Sequence, residues 1–463
     1  VWVEWQQPFM PWERSQLWLG RFDRFGALVD TRVIAGSVGG DGQPVSVFQP
    51  LWLPNGDLVV ANDRRGWWNL ERLAGADRLG GAERLDGGST CWQPLLPVEA
   101  EFAMPQWVYG MATTAWDGEQ LVAAACRQGR WELGRIALPE AIGASGRWQP
   151  LALPFDDLAH VVAEGGRLAC IASGPTAGQG LLELELATGR WSHSPVAATA
   201  LPPELISRPE PLWFAGHGGK ATHAWYHPPL GGAHGGSPLL VKGHSGPTAM
   251  ARTGLNPVIP FWTSRGWGVV DVNYGGSTGF GRAYRERLDG QWGVVDVADC
   301  AAAARALVAA GKADPERIAI EGGSAAGFTV LAALCFTDVF RAGACRYAVA
   351  DLAAMAIGTH RFEARYLDGL VGPWPAAREL YAQRSPLEHA DRIRCPVVFF
   401  QGLEDKVVPP EQTEQMALAL SNRGVPVQVH LFPEEGHGFK SGAVQIQVLE
   451  ATEAFFRRHL ALP

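Results

Sequence analysis

Residues 317–328 read Arg317-Ile-Ala-Ile-Glu-Gly322-Gly323-Ser324-Ala325-Ala326-Gly327-Phe328, an apolar run that meets a Gly-Gly-Ser turn and continues as a second apolar run. The pattern predicts a strand turning sharply into a helix, because glycines let the backbone reverse with little steric hindrance. Such a turn lifts the serine hydroxyl above the sheet edge and seats it at a helix N-terminus, whose partial positive charge favours anions. Ser324 is the candidate nucleophile. The usual G-x-S-x-G pattern has a glycine two places after the serine, and here that place is Ala326. On its own, so short a motif is as readily a structural turn.

A serine needs a base and the base needs an orienting acid, so the downstream order matters. The strand-like Pro396-Val-Val-Phe-Phe-Gln401 leads into Gly402-Leu-Glu-Asp405-Lys-Val-Val-Pro409, and Val427-Gln-Val-His-Leu-Phe432 leads into Pro433-Glu-Glu-Gly436-His437-Gly438. Both loops fall at the carboxyl ends of strands, where open α/β sheets gather their ligands. His437 is the candidate base and Asp405 its orienting acid; Glu404 is the alternative acid, and His430 lies mid-strand. For the oxyanion, backbone donors are expected at Ser245, in the loop Gly243-His244-Ser245-Gly246-Pro247, and at Ala325 after the nucleophile. His217, His223, His227, His234 and His244 have no HExxH spacing or acidic companion, so no metal site is expected. No cofactor is implied, since the triad supplies its own nucleophile and base.

The flanking texture predicts the rest of the fold. From about residue 206, apolar strands alternate with helical stretches, the mark of a parallel sheet with helices on both faces. Strands are expected at Pro238–Lys242, Gly268–Val272, Arg317–Ile320, Ala344–Val349, Pro396–Gln401 and Val427–Phe432, and helices at about Val294–Ala310 and Ala443–Leu460. Residues 1–205 instead show short apolar strands and glycine turns. Leu53-Pro-Asn55-Gly56, Asp117-Gly118 and Gly165-Gly166 each precede an apolar strand, at a spacing near the ~40–50 residues of a four-stranded propeller blade. The stretch from Trp2 to about Ile34 adds a further blade. Thirteen of the 19 tryptophans lie in this half, which suits blades packing face to face, and Trp67-Trp68 is read as core.

With 463 residues, 47% of them hydrophobic, 19% charged and a net charge of -8, the chain has the composition of a multidomain globular protein. No Lys/Arg clustering suggests nucleic acid. The seven cysteines form no CxxC pair, and no apolar stretch approaches the ~18 residues of a spanning helix. With no charged-then-apolar leader at the start, these features predict a soluble cytoplasmic chain without a membrane partner. The first residue is Val1, which leaves a processed or trimmed N-terminus open.

Taken together, the residues resemble the prolyl oligopeptidase family of serine peptidases, especially its acylaminoacyl-peptidase and dipeptidyl-peptidase-like bacterial branch. The resemblance rests on Pro209-Glu-Pro, His244-Ser-Gly-Pro-Thr248, Asn273-Tyr-Gly-Gly-Ser-Thr-Gly-Phe-Gly281, the Ser324 turn, Thr359-His-Arg-Phe-Glu-Ala-Arg-Tyr366, Gly402-Leu-Glu-Asp405 and Gly436-His437-Gly438. Ser245, Gly275 and Ala326 depart from its usual Gly, Arg and Gly. The resemblance implies an α/β-hydrolase domain (206–463) behind an apparently partial β-propeller (1–205), and a peptidase acting on short peptides through an acyl-enzyme. By the same resemblance Phe362, Tyr366 and Val408 line the pocket for the residue before the scissile bond, and Glu99 and Glu101 are candidates for a substrate's amino group. The family's propeller usually has about seven blades, needing roughly 300 residues, whereas residues 1–205 hold four at most. The open edge is therefore expected to meet a homo-oligomeric partner or a separate N-terminal fragment. An esterase, amidase or acyl-transferring relative with the same triad, and a catalytically silent scaffold, are the competing readings.

Overall fold

The computed structural model describes residues 1–39, 42–78, 92–138, 145–197 and 201–462; Cys91 lies outside them. The chain divides into two compact units: Val1–Ala200 with Arg252–Leu255 and Thr278–Tyr284, and Leu201–Ala251 with Asn256–Ser277 and Arg285–Pro463.

In the first unit, residues 2–45, 47–94, 114–150 and 157–195 each contribute a four-stranded antiparallel sheet with its strands in sequence order, the meander of a propeller blade. The three glycine turns read from the sequence are equivalent. Gly56, Gly118 and the Gly165-Gly166 pair all have positive φ and join the first strand to the second in three successive sheets. Leu17, Ile34, Val47, Leu58, Val60 and Trp92 pack into one cluster that joins the first two sheets. Trp68 is fully buried and satisfies its indole N–H on Ser46 Oγ at 2.7 Å, so burial leaves no unpaired donor there.

The second unit is built on one eight-stranded sheet: β1 (Glu210–Ala215), β2 (Ala221–His227), β3 (Leu239–Gly243), β4 (Gly268–Asn273), β5 (Ile318–Gly323), β6 (Ala342–Arg346), β7 (Val397–Gly402) and β8 (Val427–Phe432). Its order is β1-β2-β4-β3-β5-β6-β7-β8. β1 and β2 pair antiparallel with each other and β2 pairs antiparallel with β4, while the other neighbours are parallel. The six parallel strands fall within two residues of their expected starts. The antiparallel pair β1–β2, joined through Gly216–Gly219, is additional to the expected strands. β6 ends at Arg346 rather than Val349 because Tyr347 takes a φ of 36° and turns the chain out of the sheet.

Five helices support this sheet: α1 (Val258–Thr263), α2 (Val295–Ala309), α3 (Ala325–Phe336), α4 (Pro410–Ser421) and α5 (Gly442–His459). α1 and α5 bury Trp262, Phe455 and Phe456 with Leu240, Val269, Ala319 and Phe400 of the sheet. α2 and α3 pack together and against β3. α5 begins at Ser441, whose side chain accepts Val444 N–H, and ends in Arg457, Arg458 and His459, so both ends suit its dipole. The loops after β5, β7 and β8 all leave the same end of the sheet, and they carry Ser324, Asp405 and His437.

Candidate active site

Ser324 stands between β5 and α3 with φ 54° and ψ −124°. A non-glycine residue in such a region is strained by on the order of 1–3 kcal/mol and persists only where its surroundings hold it. Two contacts do so: Ser324 N–H donates to Arg346 O at 3.0 Å, and Phe328 N–H donates to Ser324 O at 3.1 Å. The alanine at 326 is accommodated from the opposite side of the turn. A Cβ on Gly322 would lie 2.5 Å from Ala326 O and 2.9 Å from Ala326 Cβ, so the absent side chain at 322 makes room for the methyl at 326. Gly327 has the same relation to Ala348, at 2.6 Å.

His437 Nε2 is 2.9 Å from Ser324 Oγ, and His437 Nδ1 is 2.9 Å from Asp405 Oδ2. A carboxylate only accepts, so Nδ1–H is the donor to Asp405 and the Nε2 lone pair faces the serine hydroxyl. The other oxygen, Oδ1, accepts Val407 and Val408 N–H, each at 2.9 Å, which fixes the carboxylate while it is 4% exposed. Glu404 is exposed, so of the two candidate acids Asp405 faces the imidazole. The two loops are tied together by Leu403 N–H to Phe432 O and Glu404 N–H to Glu435 O, each at 3.0 Å. That approach requires Gly402, whose added Cβ would lie 2.2 Å from Glu435 O. Tyr347 packs 4.7 Å from the His437 ring.

The Gly243–Thr248 loop is held by groups the sequence reading did not assign. Tyr274 stacks on His244 and donates its hydroxyl to His244 O at 2.9 Å, and Ser277 Oγ lies 2.6 Å from His244 Nε2. Ser277 gives its own proton to Tyr274 O, so His244 Nε2–H is the donor in that contact. Burial pushes the His244 imidazole down to about 4, which keeps it neutral at physiological pH. Ser245 is exposed, and its hydroxyl donates to Gly323 O, tying this loop to the serine turn. Ala325, at the first position of α3, has its N–H among the first-turn donors that a helix leaves unpaired.

The three residues assigned to a side-chain pocket lie in different settings. Tyr366 is 4% exposed, and its hydroxyl accepts Thr248 N–H at 3.1 Å and sits 2.6 Å from Thr248 Oγ1. Val408 is fully buried beside Asp405, and Phe362 is partly buried. Glu363, 3.5 Å from His360, has its carboxyl raised by burial, an effect that His360 and His437 partly offset. Glu99 is exposed, whereas Glu101 is buried and accepts Trp68 N–H at 2.7 Å and Gly281 N–H at 3.1 Å, so its carboxylate is committed to the first unit's own backbone. Gly275, where the resembled family often has Arg, has no room for a side chain: a Cβ would lie 2.7 Å from Val295 Cγ1. Among the described residues no group of three or more His, Cys, Asp or Glu is arranged to hold a metal ion, and no helix is long and apolar enough to cross a membrane.

The prolyl oligopeptidase family profile matches residues 254–462. A puromycin-hydrolyzing peptidase from Mycobacterium tuberculosis superposes with a TM-score of 0.91 at 39% identity, covering 100% of this chain and 69% of that one. The crystal structure of a puromycin hydrolase superposes with a TM-score of 0.90 at 37% identity, covering 100% of this chain and 68% of that one. Dipeptidyl peptidase family member 6 of Caenorhabditis elegans is 30% identical over 229 residues, 48% of this chain and 31% of its own length. The chain spans about a third of the length of the curated relatives it matches.

Proposed function

The chain belongs to the prolyl oligopeptidase family, and from that premise we propose that it is a serine peptidase hydrolysing peptide bonds of short peptides through an acyl-enzyme on Ser324. The observation that carries this reading is the unbroken line of contacts from Asp405 through His437 to Ser324, each step 2.9 Å. His437 takes the serine proton as Oγ attacks the scissile carbonyl, then returns it to the leaving amine. Asp405 holds the tautomer and stabilises the imidazolium; water then completes the cycle with His437 again as base. The Ala325 and Ser245 N–H groups receive the oxyanion, Ala325 with the helix terminus behind it. Of the three residues assigned to the side-chain pocket, Phe362 keeps apolar surface for the side chain before the scissile bond, where each buried methylene contributes about 0.8 kcal/mol. Val408 is fully buried and Tyr366 4% exposed, so these two support the site from beneath rather than line it.

A panel of chromogenic aminoacyl, acetyl-aminoacyl and dipeptidyl amides beside simple esters tests the substrate class. Amide turnover that is abolished in Ser324→Ala, with apolar or proline residues preferred before the scissile bond, is expected. Turnover of esters alone would replace the peptidase reading with an esterase.

A further inference from the structure

The strand that delivers the nucleophile carries a charge where its neighbours are apolar. β5 reads Ile318-Ala-Ile-Glu321-Gly-Gly323, and Glu321 is 1% exposed. In the parallel register Lys242 of β3 lies beside Glu321, Asp271 of β4 lies on the far side of Lys242, and Arg346 of β6 pairs with Gly323, two residues along β5. Residues two apart on a strand share a face. The four side chains Asp271, Lys242, Glu321 and Arg346 therefore alternate in sign across four strands on one face of the sheet. Two residues earlier along the same strands that face is apolar, with Leu240, Val269, Ala319 and Ala344 in the core.

Lys242 donates to Glu321 Oε1, and Arg346 Nη1 lies 3.5 Å from Glu321 Oε2. Burial alone would raise the Glu321 carboxyl, yet Lys242 and Arg346 hold it below its ordinary value, so it is ionised beneath the serine turn. Stability does not explain such a group, because a buried ion pair is often no more stabilising than apolar side chains of the same size.

Its place in the chain does. Ser324 keeps its strained backbone by donating its N–H to Arg346 O, and the Arg346 guanidinium is ion-paired at 3.5 Å, without a hydrogen bond, with Glu321, three residues before Ser324. The chain from Glu321 to Ser324 and the contacts through Arg346 thus close a ring around the turn. Lys242 joins the same carboxylate to the strand entering the Gly243-His244-Ser245 loop, and Ser245 closes a second ring onto Gly323 O.

We propose that Glu321 is a positioning residue which, through Arg346 and Lys242, holds the nucleophile turn and the neighbouring oxyanion loop in their reactive conformation. The proposal rests on the reading of Ser324 as nucleophile, and it gives Glu321 no contact with substrate.

Two variants test it on the full chain. Glu321→Gln removes the charge at constant shape. Glu321→Leu/Arg346→Leu replaces the pair by apolar side chains and leaves Lys242 with Asp271. Each folded variant is expected to lose about 10- to 100-fold in kcat and in the rate of fluorophosphonate labelling, with KM changed less than about twofold. Wild-type kcat and labelling rates in either folded variant overturn the proposal. A loss confined to KM does the same. Failure of both to fold also overturns it, because the pair would then determine the fold rather than the turn. Labelling of wild type and not of Ser324→Ala separates this outcome from failure of the peptidase reading itself.

Discussion

Asp405 shows how a single side chain's two oxygens divide the work. Because Oδ1 already accepts two backbone N–H groups, the amide of an Asp405→Asn variant must place its carbonyl there and turn its NH2 toward His437 Nδ1. The imidazole is then forced into the tautomer with Nε2 protonated and loses its function as base. A fall in kcat of about 10⁴-fold is expected for Asp405→Asn, with Glu404→Gln within about twofold of wild type. Steady-state kinetics on one amide substrate decide it; comparable losses in the two variants would remove Asp405 from the role. Ser324, Asp405 and His437 were legible in the sequence because each follows an apolar strand at a glycine-containing turn. The residues that hold them were not. Tyr274 and Ser277 lie inside the Asn273–Gly281 motif, but their contacts with His244, like that of Tyr347 with His437, join segments far apart in the chain, and the motif alone does not name those partners. Glu321 was a signal of another kind, a charge inside an apolar strand, visible in the sequence yet without meaning until Lys242 and Arg346 were placed beside it.

Among the elements, α2 and α3 are joined by a buried carboxylate near the start of α2. Asp296 accepts Gly293 N–H at 2.7 Å and the Thr329 hydroxyl of α3. Burial raises its carboxyl from 3.8 to about 6, against the pull of those donors. The folded state therefore binds more protons than the unfolded state between those values. The associated stability is fully present below about 3.8 and is lost as pH rises through about 6. Asn at this position keeps the acceptor for Gly293 and cannot ionise. Denaturant midpoints at pH 5 and pH 8 are expected to show Asp296→Asn gaining on wild type at the higher pH; a difference that is the same at both would refute the assignment. The helix itself was plain in the sequence, since its alanine-rich run stops at Gly311, whose φ is 68°. The antiparallel pair β1–β2 was not among the strands expected from the sequence, and the early end of β6 depends on one tyrosine in a left-handed conformation.

At the scale of the whole molecule, the change of texture near residue 206 separated an all-β half from an α/β half, and the repeated glycine turns marked equivalent hairpins in successive sheets. Sequence spacing did not indicate that Arg252–Leu255 and Thr278–Tyr284 belong with the first unit. That assignment depends on contacts such as Thr253 Oγ1 with Asp156 O at 3.0 Å, which join residues distant in the chain. The central claim lies within the second unit: the line from Asp405 to Ser324 is a working nucleophile. Its most direct test is exposure of the intact chain to a fluorophosphonate at neutral pH, followed by intact-mass and peptide mass spectrometry. One adduct per chain, located on Ser324 and absent from both Ser324→Ala and the denatured protein, is the predicted result; no adduct on the folded wild type, or an adduct on a different residue, would contradict it.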